Sequence, residues 1–214
     1  MKHLIIIGAG GMGKEIFSLA TECNGYLSEY DIKGFLDFPH PDWDSKKFAP
    51  ILGIEDDYVI QEDDVFTCSI GDISLKKKII GKIISKGGHF INLIHPTAII
   101  RRGAVIGNGC ILDHGVTLGS DSIVGDFCLL QGYTAIGHDA RVGNFCRFDY
   151  HVMLVGGVIV HDEVCIHTSS IISHNVEVGS RSTVAALSFV IKSVDEDCTV
   201  FGNPAKKLPT LAKN

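Results

Sequence analysis

From Ile94 to Val190 every sixth residue is apolar, with no insertion: Ile94, Ile100, Ile106, Leu112, Leu118, Val124, Leu130, Ile136, Val142, Phe148, Leu154, Val160, Ile166, Ile172, Val178, Val184 and Val190. Neither the 3.6-residue period of a helix nor the alternation of a strand keeps one apolar residue at every sixth place for so long. A sustained hexad is the mark of a parallel β-helix, in which each short strand and its bend make one wall of a prism. Three hexads close a turn, so residues about 18 apart stack, roughly 4.8 Å from each other at ordinary strand spacing. The repeat therefore predicts an all-β coil and also which side chains are neighbours.

The other hexad positions agree. The residue four after each apolar one is small or β-branched, as in Cys110, Val116, Ser122, Cys128, Thr134, Ala140 and Cys146. Such side chains suit a narrow interior. The residue one after is often glycine (Gly107, Gly119, Gly125, Gly137, Gly143, Gly179), as expected if a tight bend there needs positive φ. A coil of this kind buries each turn only against its neighbours and needs caps at both ends. Cys110, Cys128 and Cys146 fall in one interior column and read as small core residues. Zinc binding there would need a fourth ligand and a tetrahedral geometry that a straight column does not offer.

Composition sets outer limits. A chain of 214 residues, 45% apolar and with net charge −6, forms a core and is not a general nucleic-acid binder. The apolar run Leu4–Ile7 is too short for a signal peptide or a membrane span, which predicts a cytoplasmic protein. The cysteines number seven, with no C-x-x-C.

The first ninety residues have another character. Lys2–Ile7 runs as a strand into Gly8-x-Gly10-x-x-Gly13, followed by a helix expected over Gly13–Cys23. Further strands are expected at Asp31–Phe38 and Asp64–Ile70, and a second helix at Ile73–Ser85. Strand–helix–strand order predicts a small Rossmann-like α/β domain over 1–90, with the coil over 91–214. Ligands of such sheets sit at strand C-termini, and a glycine turn opening a helix suits a phosphate. Asp37 lies 29 residues past Gly8, rather than the ~20 of a dinucleotide site. A nucleotide or nucleotide-sugar phosphate fits better than NAD; a tight turn without ligand is the alternative.

The glycine turn, Phe35-Leu36-Asp37, Ile94-His95-Pro96-Thr97-Ala98, Gly137-His138-Asp139 and Gly202-Asn203-Pro204-Ala205-Lys206 occur in this order along nearly the whole chain. As a set they resemble the bacterial nucleotide-sugar N-acetyltransferases and sialic-acid O-acetyltransferases of the hexapeptide-repeat superfamily. The resemblance implies a left-handed β-helix, a homotrimer with sites between adjacent prisms, acetyl-CoA as donor, and a UDP- or dTDP-linked amino sugar as acceptor. It implies nucleotide contacts at the glycine turn (Gly10, Gly11, Met12) and Asp37. It implies catalysis by His138 with Asp139, and cofactor contacts at Arg147, Gly156, His167, Ala186 and Lys206, with no metal. Three departures stand out: Arg147 replaces a second histidine of the family, His151 and His167 replace small residues, and His174 stands where many relatives have proline.

The residues support an acyl-transfer chemistry. His138 should share one ladder with Ser120, Gly156 and His174. Histidine is the natural proton acceptor near neutral pH, and the Gly156 N–H could meet a thioester oxygen beside it. Asp139 could orient the ring, but adjacent strand residues point to opposite sides, so the backbone must bend for it to do so. Direct attack of an amine on the thioester is expected, with no covalent nucleophile. His114 reads as a solvent-facing turn residue and His95 as structural. His161 and His167 lie on adjacent walls rather than in metal-binding register, and His151 and His174 are candidate channel residues. Arg147 suits a CoA phosphate or a carboxylate across the trimer seam; Lys206 or Lys207 suits a phosphate. Competing readings are O-acetylation of sialic acid, a zinc lyase resembling the gamma carbonic anhydrases, and a nucleotide-sugar sensor without activity.

Overall fold

A computed structural model describes residues 1–209. The chain divides into two compact units, Met1–Pro96 and Thr97–Asn214. No helix among the described residues is long and apolar enough to cross a membrane.

The first unit is a parallel sheet in the order β2-β1-β3-β4, formed by β1 (Lys2–Ile7), β2 (Tyr30–Leu36), β3 (Asp64–Cys68) and β4 (His89–Phe90). Two helices accompany it, α1 (Gly11–Glu22) and α2 (Ile73–Ser85). Leu4–Ile7 is shut off from solvent on both faces, as a central parallel strand should be. Strand β3 stops at Cys68 rather than Ile70, α1 at Glu22 rather than Cys23, and β2 starts at Tyr30 rather than Asp31; two further boundaries differ from expectation for local reasons. Helix α1 begins at Gly11, because Gly10 is its N-cap and the glycine turn supplies the first helical turn. Strand β2 ends before Asp37, whose carboxylate turns back to accept from the Ala9 N–H at 2.7 Å.

One buried charge ties the other end of this sheet together. The Asp64 carboxylate, fully covered, accepts from Lys33 Nζ (2.7 Å), the Tyr58 hydroxyl (2.8 Å) and the Gln61 N–H (2.8 Å). Burial alone would push this carboxyl up, but the Lys33 ammonium and the Gln61 and Tyr58 donors outweigh it and hold it below its ordinary value. A carboxylate depressed on folding adds stability that is present above the unfolded value near ~3.9 and is lost as pH falls through the folded value. Asp64→Ala should therefore lower the unfolding free energy by about 3 kcal/mol at pH 7, measured by urea melts. The gap to the parent should close below about pH 4; equal midpoints at pH 7 would contradict this account.

The second unit is a left-handed parallel β-helix of two-residue strands. Its first wall stacks Ile99–Ile100, Thr117–Leu118, Ala135–Ile136, Met153–Leu154, Ile171–Ile172 and Phe189–Val190. The second stacks Val105–Ile106, Ile123–Val124, Arg141–Val142, Ile159–Val160 and Glu177–Val178. The third stacks Ile111–Leu112, Leu129–Leu130, Arg147–Phe148, Cys165–Ile166 and Thr183–Val184, then Thr199–Gly202 and Ala205–Lys207. Residues 18 apart pair as expected, for example Ala135 with Met153 and Arg147 with Cys165. At the last rung the register shortens: Thr183 pairs with Thr199 and Val184 with Val200. The hexad ends there because the segment after Val190 closes the rung in fewer residues.

Both inward positions are dry. Leu118, Leu130, Phe148 and Ile166 are fully buried, as are Cys110, Val116, Ser122, Cys128, Ala140 and Cys146. The three column thiols donate to carbonyls of the next rung, Cys110 to Gly125 O (3.0 Å), Cys128 to Gly143 O (3.1 Å) and Cys146 to His161 O (3.1 Å).

The expected reason for the corner glycines is corrected. Positive φ falls three residues after the apolar position, at Asp121, Phe127, Tyr133, Asp139, Phe145 and His151. Gly119, Gly137 and Gly143 instead lie where the next rung passes close: a Cβ on Gly119 would stand 2.5 Å from His138 N, and one on Gly137 2.6 Å from Val155 C.

Outward, the first wall is largely apolar, and the second sets apolar residues beside the exposed Arg141 and Glu177. Ile99 (51% exposed), Met153 (46%) and Ile171 (39%) face out from the first wall, and Val105 (55%) and Ile159 (39%) from the second.

Candidate active site

The corner between these two walls carries Arg102, Ser120, His138, Gly156 and His174. Main-chain hydrogen bonds lock them into one column: Asp121 N to Arg102 O (3.2 Å), Asp139 N to Ser120 O (3.0 Å), Gly157 N to His138 O (2.9 Å) and Asn175 N to Gly156 O (3.3 Å). The bend that Asp139 needed is present. Its φ of 58° swings the side chain round the corner, and its Oδ2 meets His138 Nδ1 at 2.7 Å. With Nδ1–H donating to the carboxylate, the lone pair is left on Nε2. Both side chains are open to solvent, 66% and 67% exposed.

Gly156, on the rung after His138, lies directly against the ring, where a Cβ would collide with the His138 imidazole. Its carbonyl accepts from His174 Nδ1 at 3.3 Å. Among the described residues no acceptor takes up the Gly156 N–H. The corner between the second and third walls shows the contrast. There the matching N–H groups are capped by side chains of the next rung: Asn108 by Asp126 (2.8 Å), Asp126 by Asn144 (2.8 Å) and Asn144 by Asp162 (2.7 Å). One edge of the prism is sealed, and the His138 edge has an amide still to satisfy.

Arg147 and His167 are brought together elsewhere, by a residue the sequence reading missed. The Asp149 carboxylate, with its side chain only 11% exposed, accepts from Arg147 Nε (2.7 Å) and meets His167 Nδ1 (2.7 Å). Arg147 thus pairs with a carboxylate of its own chain. The signal was available: His167 lies 18 residues after Asp149. Cys165 faces outward beside them, its Sγ 3.8 Å from His167 Nε2, but burial pushes the thiol up to about 11, which keeps it a poor nucleophile. His114, expected to face solvent, is part-buried: it pairs with Asp113 (2.9 Å) and sits edge-on to Tyr133, which stacks on His151. His95 pairs with Glu22, and His161 with Glu177. Ala186 is exposed at the corner after the third wall, and Lys206 is exposed on the final strand, opposite Phe201. The third wall lies across the prism from the His138 corner, so one chain does not join His138 to Arg147 and His167.

In the first unit, the residues expected at the nucleotide do converge. Gly8 has φ +97°, and Ser69 Oγ donates to Ile7 O (2.8 Å) and Gly8 O (3.0 Å), clamping the turn from behind. Gly13 has no room for a Cβ against the Gly8 carbonyl, whereas a Cβ on Gly10 or Gly11 would meet open space. Met12 follows in the first turn of α1. Asp37 flanks this turn through its bond to Ala9, and His40 Nε2 lies 3.4 Å from its carboxylate.

The fold is that of a small α/β unit followed by a hexapeptide-repeat, left-handed parallel β-helix. Residues 3–83 match the family described as the PglD N-terminal domain. The UDP-N-acetylbacillosamine N-acetyltransferase of Bacillus subtilis (strain 168) is 29% identical over 115 residues, 52% of this chain and 51% of that protein, so the match spans about half the length of this curated relative. Among solved structures, PerB from Caulobacter crescentus in complex with CoA and GDP-perosamine superposes with a TM-score of 0.87 at 24% identity, over 98% of each chain. The acetyltransferase domain of PglB from Neisseria gonorrhoeae FA1090 in complex with acetyl coenzyme A superposes with a TM-score of 0.87 at 26% identity, over 97% of this chain and 99% of that one. The chain resembles the nucleotide-sugar N-acetyltransferases of the hexapeptide-repeat superfamily, and its homologues and structural neighbours are acetyltransferases.

Proposed function

We propose that this chain is an acetyl-CoA-dependent N-acetyltransferase acting on a nucleotide-linked amino sugar, UDP- or dTDP-linked, in the cytoplasm. The observation that carries the reading is the His138 ring, oriented by Asp139 at 2.7 Å and resting on Gly156, whose N–H has no acceptor among the described residues. Acetyl-CoA supplies an activated thioester carbonyl. Gly156 offers that carbonyl oxygen an N–H donor, of the kind typically worth ~2.7–4 kcal/mol as negative charge develops. His138 Nε2 takes the proton that the sugar amine sheds as its nitrogen bonds to the carbonyl carbon, and CoA leaves as thiolate. Asp139 holds the ring in the tautomer that can do this.

Supporting the acceptor, the glycine turn leaves open space over Gly10 and Gly11 beside Met12 and Asp37. Supporting the donor, structures of the neighbours hold CoA or acetyl coenzyme A; Arg147, His167, Ala186 and Lys206 are the contacts proposed for it here. A homotrimer is part of the proposal, for two reasons. The apolar rows on the walls flanking His138 need cover, and a neighbouring copy can bring its Arg147–Asp149–His167 cluster to the His138 edge. The cysteines, all free, suit a reducing compartment.

The test is thiol release from acetyl-CoA against a panel of UDP-, dTDP- and GDP-amino sugars, with sialic acid included. Release with an amino sugar, and an amide in the product by mass spectrometry, is the expected result. Release only with sialic acid would make the enzyme an O-acetyltransferase, and no release with any acceptor would overturn the proposal.

A further inference from the structure

The His138 column continues below the base, and nothing so far uses its lower end. Ser120 stands one rung below His138 and Arg102 two rungs below, with Arg101 beside it. Arg101 and Arg102 are exposed, and among the described residues their side chains make no hydrogen bond or ion pair, although the Arg102 carbonyl accepts from the Asp121 N–H. Arg147 pairs with Asp149 and Arg181 with Glu196 and Asp197, whereas Arg101 and Arg102 stand next to each other in the chain at the His138 corner. Two adjacent guanidiniums without carboxylates are a ready site for a doubly charged oxyanion.

We infer that Arg102, with Arg101, binds the diphosphate of the acceptor, and that Ser120 meets the sugar between diphosphate and base. The inference rests on the proposed acetyl transfer to a nucleotide sugar. Its geometry comes from the column: two rungs are about 10 Å, the span of one hexose ring and its phosphate linkage. The donor side is on the opposite side of the base, at Gly156. The column is thus a track, with the anion at one end, the acceptor hydroxyls next, the base in the middle and the thioester amide beyond it. This assigns the direction from which each substrate approaches.

The test is steady-state kinetics of Arg102→Ala with the nucleotide-linked amino sugar that the parent accepts. The acceptor KM should rise about 10- to 100-fold, as for a lost charged hydrogen-bond partner, with kcat and the KM for acetyl-CoA within about twofold. Inhibition by the matching free nucleoside diphosphate should weaken by the same factor. Lys2→Ala, an exposed lysine at the start of β1, controls for net charge and should change none of these. An unchanged acceptor KM overturns the inference. So does a rise confined to acetyl-CoA, which would hand the arginines to the CoA phosphates. Should the parent transfer no acetyl group at all, the proposed reaction fails separately. Calorimetric titration of parent and Arg102→Ala with UDP, dTDP and GDP then decides the anion site: equal affinities in the two proteins sink it.

Discussion

His138→Ala is expected to lower kcat by roughly 10²–10⁴ with the fold intact. The ring lies wholly outside the packed interior, so its removal leaves the buried columns untouched; circular dichroism and the melting temperature should match the parent. The acid limb of the pH–rate profile should vanish with it, because the group that must be unprotonated has gone. Asp139→Asn should fall between parent and His138→Ala. The amide can no longer hold Nδ1–H as a carboxylate does, but Nε2 survives. Near-normal turnover in His138→Ala would remove the base from the mechanism, whatever the pH profile shows.

The second large effect is expected at Gly156→Ala, with kcat down about 10²-fold or more. Its backbone lies outside the left-handed region, so an alanine fits the main chain, yet its Cβ would stand inside the His138 imidazole. The ring must move, taking Nε2 away from the acyl acceptor and breaking its alignment with Asp139. Stability should change little, because the ring that covers the buried Gly156 is itself exposed and can swing aside into solvent. The telling measurement is a crystal structure or histidine NMR spectrum of the variant beside its kinetics: a displaced ring with unchanged kcat would sink the account.

Much of this was legible in the hexads. Stepping by six gave the inward column, and stepping by 18 gave the His138–Gly156–His174 ladder, because strand stacking leaves no freedom in either. The same step would have found Asp149 beneath His167, since a polar residue 18 before a histidine must be its neighbour. The reach of Asp139 was not legible. It depends on a left-handed φ at the third corner residue, and aspartate is only one of many residue types there, alongside Phe127, Tyr133 and Phe145. Nor was the cause of the Gly119 and Gly137 pattern, which is the close passage of the next rung rather than turn geometry. Ser69 gave no signal in the first unit because its partners, Ile7 O and Gly8 O, are main-chain atoms reached across the sheet.

The corner column has one more consequence. Its residues are fixed to each other by main-chain bonds that repeat at the pitch of the coil, so distances along it are graduated in whole rungs. Evolution of a new acceptor cannot slide the base by a fraction of that pitch; it can only exchange the side chain at a given mark, lengthen it, or move a function a full mark up or down. A catalytic edge of this sort behaves like a ruler with fixed divisions. Enzymes built on it should differ in acceptor length by discrete steps, with the side chains at positions such as Arg102 and Ser120 recording which step was taken.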